Sequence, residues 1–153
     1  MADARGQLNK FMVDIFHSVL RRQERLLRDS GYGDLSISEM HVIEACAQAQ
    51  RQGRPYARDI ATLLQITPGS LTAAVNVLEK KGYLSRQRDE QDRRRVLIHL
   101  NTSALEALQA HEKIHEQLID EVMGQLSPEE SQLLSRALGG VATFFDKERT
   151  DGT

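Results

Sequence analysis

The sequence is poor in the residues that staple or flatten a small protein. It has a single cysteine, Cys46, in 153 residues, which excludes an internal disulfide framework and fits a reducing compartment. Cys46 sits in I-E-A-C-A, an apolar helical setting without the cationic neighbours a reactive thiol needs, so it reads as a small core residue. Tryptophan is absent and aromatics make up 5%, which favours helix over sheet. No apolar run approaches the roughly 20 residues of a membrane span, and the start, M-A-D-A-R-G-Q, carries no apolar targeting core. The expectation is a cytoplasmic chain with no membrane partner. Nucleophile elbows and glycine-rich phosphate cradles are missing too. A hydrolytic role for His111, Glu112 and His115 in H-E-K-I-H is the rival enzyme reading, and an enzyme is not expected.

The formal charge of −2 argues against blanket binding to nucleic acid, but the charges are unevenly placed. Between Arg54 and Leu100 stand nine Lys or Arg and five Asp or Glu, a local balance of +4 that leaves −6 for the two ends. The middle suits a polyanion, while the acidic ends limit indiscriminate sticking.

Within that middle, T-P-G-S-L-T-A-A-V-N-V-L-E-K-K (67–81) predicts a helix capped by Thr67, with Pro68 where no backbone donor is needed. Leu71, Ala74, Val75 and Leu78 form one apolar stripe. Gly69, Ser70, Thr72, Ala73, Asn76 and Lys80 make a small, hydrogen-bonding opposite face, suited to base edges and phosphates in a DNA major groove. The preceding A-R-D-I-A-T-L-L predicts a short helix packing Ile60, Ala61 and Leu64 on it across Q-I-T, which makes a helix-turn-helix. After Gly82 a strand begins at Tyr83-Leu84-Ser85-Arg86, and Val96, Ile98 and Leu100 alternate along a second. The charged tip Q-R-D-E-Q-D-R-R-R lies between them. Such an arginine-tipped ribbon is a wing, able to reach a narrow minor groove.

Upstream, residues 7–29 carry Leu8, Phe11, Met12, Ile15, Phe16, Val19 and Leu20 at helical spacing before a stop at Ser30-Gly31. L-S-I-S-E opens a helix from Ser36 or Ser38 to Gln50, and R-Q-G-R-P reads as a loop. Downstream, helices are predicted over 102–124, with Asn101 able to cap the first, and over 127–147, opened by S-P-E-E. The second carries Leu133, Leu134, Leu138, Val141, Phe144 and Phe145.

The segments L-S-I-S-E-M-H, I-T-P-G-S-L-T, N-V-L-E-K-K-G-Y-L and R-D-E-Q-D-R-R-R-V-L-I-H-L resemble MarR-type winged helix-turn-helix transcription regulators, nearest the branch that represses fatty-acid synthesis genes. The resemblance covers nearly the whole chain. The family's wing signature falls on Asp92, Arg93 and Arg94, which implies that Arg94 enters the minor groove and that Asp92 steadies the wing. The segment L-N-T-S-A departs from the family, where a Leu-Thr pair and a later Gly are usual.

The expected fold is therefore mainly α with a small β-wing. A winged lobe over 36–100 is flanked by dimerisation helices at 7–29 and 102–147, in a single domain spanning 1–153. The expected protein is a homodimeric repressor that reads an inverted repeat in double-stranded DNA, with half-sites roughly 34 Å apart. Ser70, Thr72, Ala73 and Asn76 are assigned to bases or nearby phosphates, Lys80 and Arg86 to the backbone, and Arg94, steadied by Asp92, to the minor groove. No cofactor is required. The other class to weigh is a dimeric protein-interaction module.

Two effectors compete. His111 and His115, one turn apart, can grip a metal ion, with His41 and Glu24 as further ligands. The family's zinc-sensing branch uses a similar arrangement, which His41, His111 and His115 match by spacing and Glu24 or its neighbour Gln23 matches within one residue. That branch's second, Cys-containing site is unmatched, since Met40 and Ala110 stand where acids are expected. The fatty-acid branch instead responds to acyl chains on a carrier protein, and Phe16, Leu20 and Met40 could line an apolar pocket for a small molecule.

Overall fold

The computed structural model describes residues 3–150, with side chains described to Thr143. Helices α1 (Ala4–Lys10), α2 (Phe16–Leu27), α3 (Ile37–Arg51), α4 (Ala57–Leu64) and α5 (Pro68–Lys80) precede strands β1 (Leu84–Arg88) and β2 (Val96–Leu100). Helices α6 (Thr102–Met123) and α7 (Pro128–Thr150) follow. The expected architecture is borne out: mainly helical, with one two-stranded antiparallel sheet. By backbone contacts the chain divides within α6 into two compact units, Met1–Ile114 and His115–Thr153. No single described helix is long and apolar enough to cross a membrane.

The first unit has its core under the helix-turn-helix. Helix α3 starts with a capping box: the Glu39 N–H donates to Ser36 Oγ at 3.1 Å, and the Ser36 N–H donates to Glu39 Oε2 at 3.0 Å. It then buries Met40, Ile43, Cys46 and Ala49 against α4, α5 and β2. Ile60 and Ala61 of α4, Leu71, Val75 and Leu78 of α5, Leu84 of β1 and Ile98 of β2 complete that core. Each fully buried aliphatic side chain removes enough apolar surface from water to stabilise the fold by about 1.5–3 kcal/mol. In α6, Ala104, Ala107, His111 and Ile114 are buried at alternating three- and four-residue spacing.

Along the helices the structure departs from expectation at three places. Residues 7–29 were expected to form one α-helix, but wide π turns span Phe11–Ile15 and Arg28–Tyr32. In each case a serine competes for a carbonyl one turn back: Ser18 Oγ donates to the Asp14 carbonyl and Ser30 Oγ to that of Leu26, both at 2.8 Å. Asn101 does stand at the cap position of α6, its carbonyl accepting from the Ala104 and Leu105 N–H groups at 3.0 and 3.3 Å, but its side-chain amide donates across to the Gly82 carbonyl at 2.9 Å, joined by Ser103 Oγ at 2.7 Å. His115 was placed on the core side of α6 but is exposed, because the buried stripe runs through 104, 107, 111 and 114. Phe144 and Phe145 lie outside the described side chains.

Candidate nucleic-acid interface

Helix α4 stops where Gln65 turns left-handed, at φ 55° and ψ 43°, and α5 leaves at 106° to it. That crossing is the helix-turn-helix geometry. At the start of α5 the Ser70 N–H donates to Thr67 Oγ1 at 3.1 Å, with Pro68 in the first turn. At its end Gly82, at φ 84°, allows the Gly82 N–H to reach the Glu79 carbonyl and the Tyr83 N–H that of Leu78. This Schellman closure turns the chain into β1.

Leu71, Val75 and Leu78 face the core, while Gly69, Ser70, Thr72, Ala73, Asn76 and Lys80 are all exposed. Hydrogen bonding along α5 then sorts the hydroxyls. Ser70 Oγ accepts from Thr67 Oγ1 at 2.9 Å, which leaves its proton for an outside acceptor. Thr72 Oγ1 donates to the Pro68 carbonyl at 2.9 Å, which leaves its lone pairs for an outside donor. Asn76 can do both. A face with one donor, one acceptor and one amide can read a pattern of base edges rather than merely attract charge.

The wing pairs Leu84 with Leu100 through to Arg88 with Val96, so β1 runs two residues into the stretch expected as tip. The tip is closed by Asp92, whose Oδ1 accepts from the Arg94 N–H and from Arg94 Nε, both at 3.1 Å. These bonds hold the Asp92 carboxyl below its ordinary range. The Arg94 side chain is 91% exposed although paired. Arg86, expected as a backbone contact, is tied to the recognition helix: its Nη2 lies 2.7 Å from Glu79 Oε2, and its N–H donates to Glu79 Oε1 at 2.9 Å. It straps the wing to α5.

An open cleft of about 1080 Å³ lies between the first turns of α4 and α5 and the wing, lined by Arg54, Tyr56, Arg58, Thr72, Arg94 and Arg95 among others. Sequence reading assigned no role to Arg54, Arg58 or Tyr56. The R-Q-G-R-P stretch is more than a loop: the Ile98 N–H donates to the Pro55 carbonyl at 2.8 Å and Tyr56 bridges to Leu97. Pro55 itself keeps the chain extended there, the one local signal that could have revealed this third rung.

Below α5, Lys81 Nζ contacts the Asp34 carbonyl and sits 2.8 Å from Glu39 Oε2, while Tyr83 Oη donates to Asp34 Oδ1 at 2.9 Å. Burial acts to raise the Glu39 carboxyl, but the Lys81 ammonium and the Ser36 N–H outweigh it, and the net shift is downward. Burial, followed by the Asp34 carboxylate, pushes the Tyr83 phenol up to about 12. Burial likewise pushes the Cys46 thiol up to about 12, consistent with a core residue.

Of the expected metal ligands, His111 is buried and its Nδ1 lies 2.7 Å from Glu44 Oε1. Glu44 was not among the expected ligands. Glu24 is exposed and lines a different cleft with Arg28, Asp34, Glu39 and Lys81, and His41 is also exposed. H-E-K-I-H does spell the His-Glu-x-x-His spacing of zinc proteases, so its letters alone do not exclude hydrolysis. Here Glu112 is exposed while His111 is buried on Glu44.

Residues 35–96 match the sequence profile of the MarR family. The chain is similar to YkoM, an HTH-type transcriptional regulator of Bacillus subtilis, at 30% identity over 111 residues, covering 72% of this chain and 70% of that one. Its match to a second such regulator, YwhA, is 34% identical over 82 residues and spans 59% of YwhA's length. Among solved structures it resembles Streptococcus pneumoniae FabT in complex with DNA, with a TM-score of 0.84 and 31% identity over 94% of this chain and 98% of that chain. Staphylococcus aureus MepR, solved with DNA, gives 0.73 at 25% identity over 88% and 96%, and MepR has also been solved bound to ethidium bromide. FabT and MepR are solved with DNA and YkoM and YwhA are HTH-type transcriptional regulators, which sets the enzyme reading aside. The chain belongs to the MarR family of winged helix-turn-helix transcription regulators.

Proposed function

We propose that this regulator acts as a homodimeric repressor on an inverted-repeat operator and is released by an effector. The observation that carries the reading is the exposed, uncharged face of Ser70, Thr72, Ala73 and Asn76 beside a 91%-exposed Arg94. In this reading α5 lies in the major groove, and Ser70, Thr72, Ala73 and Asn76 touch bases or nearby phosphates. Lys80 meets the DNA backbone. Arg94 exchanges Asp92 for the minor groove, and Arg86 acts chiefly by orienting the wing through Glu79. Arg54, in the loop before α4, and Arg58, in its first turn, add phosphate contacts.

Dimerisation is supported by apolar side chains left in solvent. In the first unit Leu8, Phe11, Met12, Ile15, Phe16 and Val19 are 39–61% exposed. In the second, Leu133, Leu134, Leu138 and Val141 are 37–61% exposed. Contiguous exposed apolar faces of this kind mark interaction surfaces, and a two-fold dimer would present two recognition helices to successive grooves. Selection of duplexes from a random library, followed by sequencing and sedimentation of the complex, tests the reading. Enrichment of a two-fold symmetric site bound by two chains is expected; no enrichment, or one chain per site, would sink it.

For the effector, the likeness to the fatty-acid branch favours an acyl chain, and MepR bound to ethidium, a planar aromatic cation, favours a small aromatic molecule. A zinc response is the second reading, favoured by the buried His111 held at 2.7 Å by Glu44, with His115 one turn further along α6. A carboxylate and an imidazole suit zinc, although Glu44 rather than Glu24 would then be the acidic ligand. Metal analysis of the purified protein, and loss of any bound zinc in His111→Ala, separate the two readings.

A further inference from the structure

Three consecutive arginines, Arg93 to Arg95, end the wing tip, and the structure treats the last two oppositely. Arg94 points outward, whereas the Arg95 guanidinium carbon lies 3.5 Å from the centroid of the Tyr56 ring. Tyr56 is itself fixed twice: at the cap position before α4 its carbonyl accepts from the Ile60 N–H at 3.1 Å, and its backbone bridges to Leu97. The Ile98 N–H bond to the Pro55 carbonyl lies beside it, and Asp89 Oδ2 approaches Arg95 Nη1 at 3.9 Å. A hairpin tip would otherwise pivot about β1 and β2, held at its base by Arg86 and Glu79.

We propose that Tyr56 is a positioning residue for DNA binding: its ring clasps Arg95, locks the wing tip to the start of the helix-turn-helix, and so selects Arg94 as the arginine that reaches the groove. The proposal rests on the DNA-binding reading above. A guanidinium on an aromatic face is held by electrostatic attraction to the ring, which needs the π face but not the hydroxyl. With the clasp broken, the wing samples many orientations, and binding must select the competent one, which lowers apparent affinity without removing a phosphate contact.

The test uses the duplex enriched by the wild-type protein, titrated at several salt concentrations with Tyr56→Phe, Tyr56→Leu, Arg95→Ala and Arg94→Ala. Tyr56→Leu should weaken binding roughly three- to thirty-fold with an unchanged salt slope, Tyr56→Phe should restore wild-type affinity, and Arg94→Ala should lower the slope by about one. Wild-type affinity in Tyr56→Leu, or a slope lowered by about one in Arg95→Ala, would overturn the clasp. In the absence of DNA, the Arg95 side-chain protons should show a ring-current shift by NMR in the wild type and Tyr56→Phe, lost in Tyr56→Leu. An unshifted wild type overturns the clasp alone, whereas failure of the wild type to enrich any duplex overturns the DNA reading and the positioning role with it. Thermal melts of Tyr56→Leu distinguish a loosened wing from an unfolded chain.

Discussion

Asn76 and Arg94 present opposite kinds of information to a duplex. An amide on an exposed helix face can pair two ways with one base edge, while a guanidinium senses potential and little else. On the proposed reading Asn76→Ala costs about 1–3 kcal/mol on the selected site and much less on random DNA, with the salt slope nearly unchanged. Arg94→Ala weakens binding to the selected site and removes about one unit from its salt slope. Fluorescence anisotropy on the two duplexes at several salt concentrations separates these outcomes. Cys46 makes a different prediction. The residue is 1% exposed and its thiol is pushed up to about 12, so a thiol-reactive dye should label it only as fast as the first unit opens, and added denaturant should accelerate labelling sharply.

Among the elements, those built from local rules were legible in the sequence. Thr67-Pro68, Ser36 with Glu39, and Ser127 with Glu130 all start helices as their spacing predicts, and the alternation of Val96, Ile98 and Leu100 gave β2 its bounds. What could not be read were partners distant along the chain. Glu44 and His111 are 67 residues apart, and periodicity indicates which face of a helix is buried without saying what it meets. Arg86 was hidden for a different reason: Glu79 is only seven residues away, but the turn at Gly82 that folds the wing back onto α5 is what brings the two together. Ser36→Ala should therefore destabilise the first unit by about 1 kcal/mol, as read by urea melts. Tyr83 tests the junction of α5 and β1. Its raised phenol pKa means the folded state keeps a proton that the unfolded chain gives up near 10, so stability from this group is complete below that pH and falls as pH rises towards about 12. Absorbance at alkaline pH should show a tyrosine ionising near 12, and Asp34→Asn should bring it earlier.

At the scale of the whole molecule, the apolar side chains left in water by a single chain are the main unbalanced quantity. Phe16 and Leu133 are both 61% exposed. Burying several such residues across a two-fold interface offsets the loss of translational and rotational freedom on association; placing a carboxylate among them does not. Phe16→Glu or Leu133→Glu should give a folded monomer by sedimentation, with affinity for the two-fold site reduced to that of a half-site. A wild-type monomer would remove the dimer from the account.

One consequence of the Asp92–Arg94 pair remains at that scale. Because the guanidinium is already satisfied on its own tip, moving it onto DNA replaces one anionic partner with another rather than filling an empty hand. On the proposed reading only a channel more negative than a single carboxylate draws it away, as the pinched tracts of A·T pairs are. The wing would then behave as a threshold: inert along most of a chromosome, and engaged only where the duplex is narrow enough to outbid the protein's own acid.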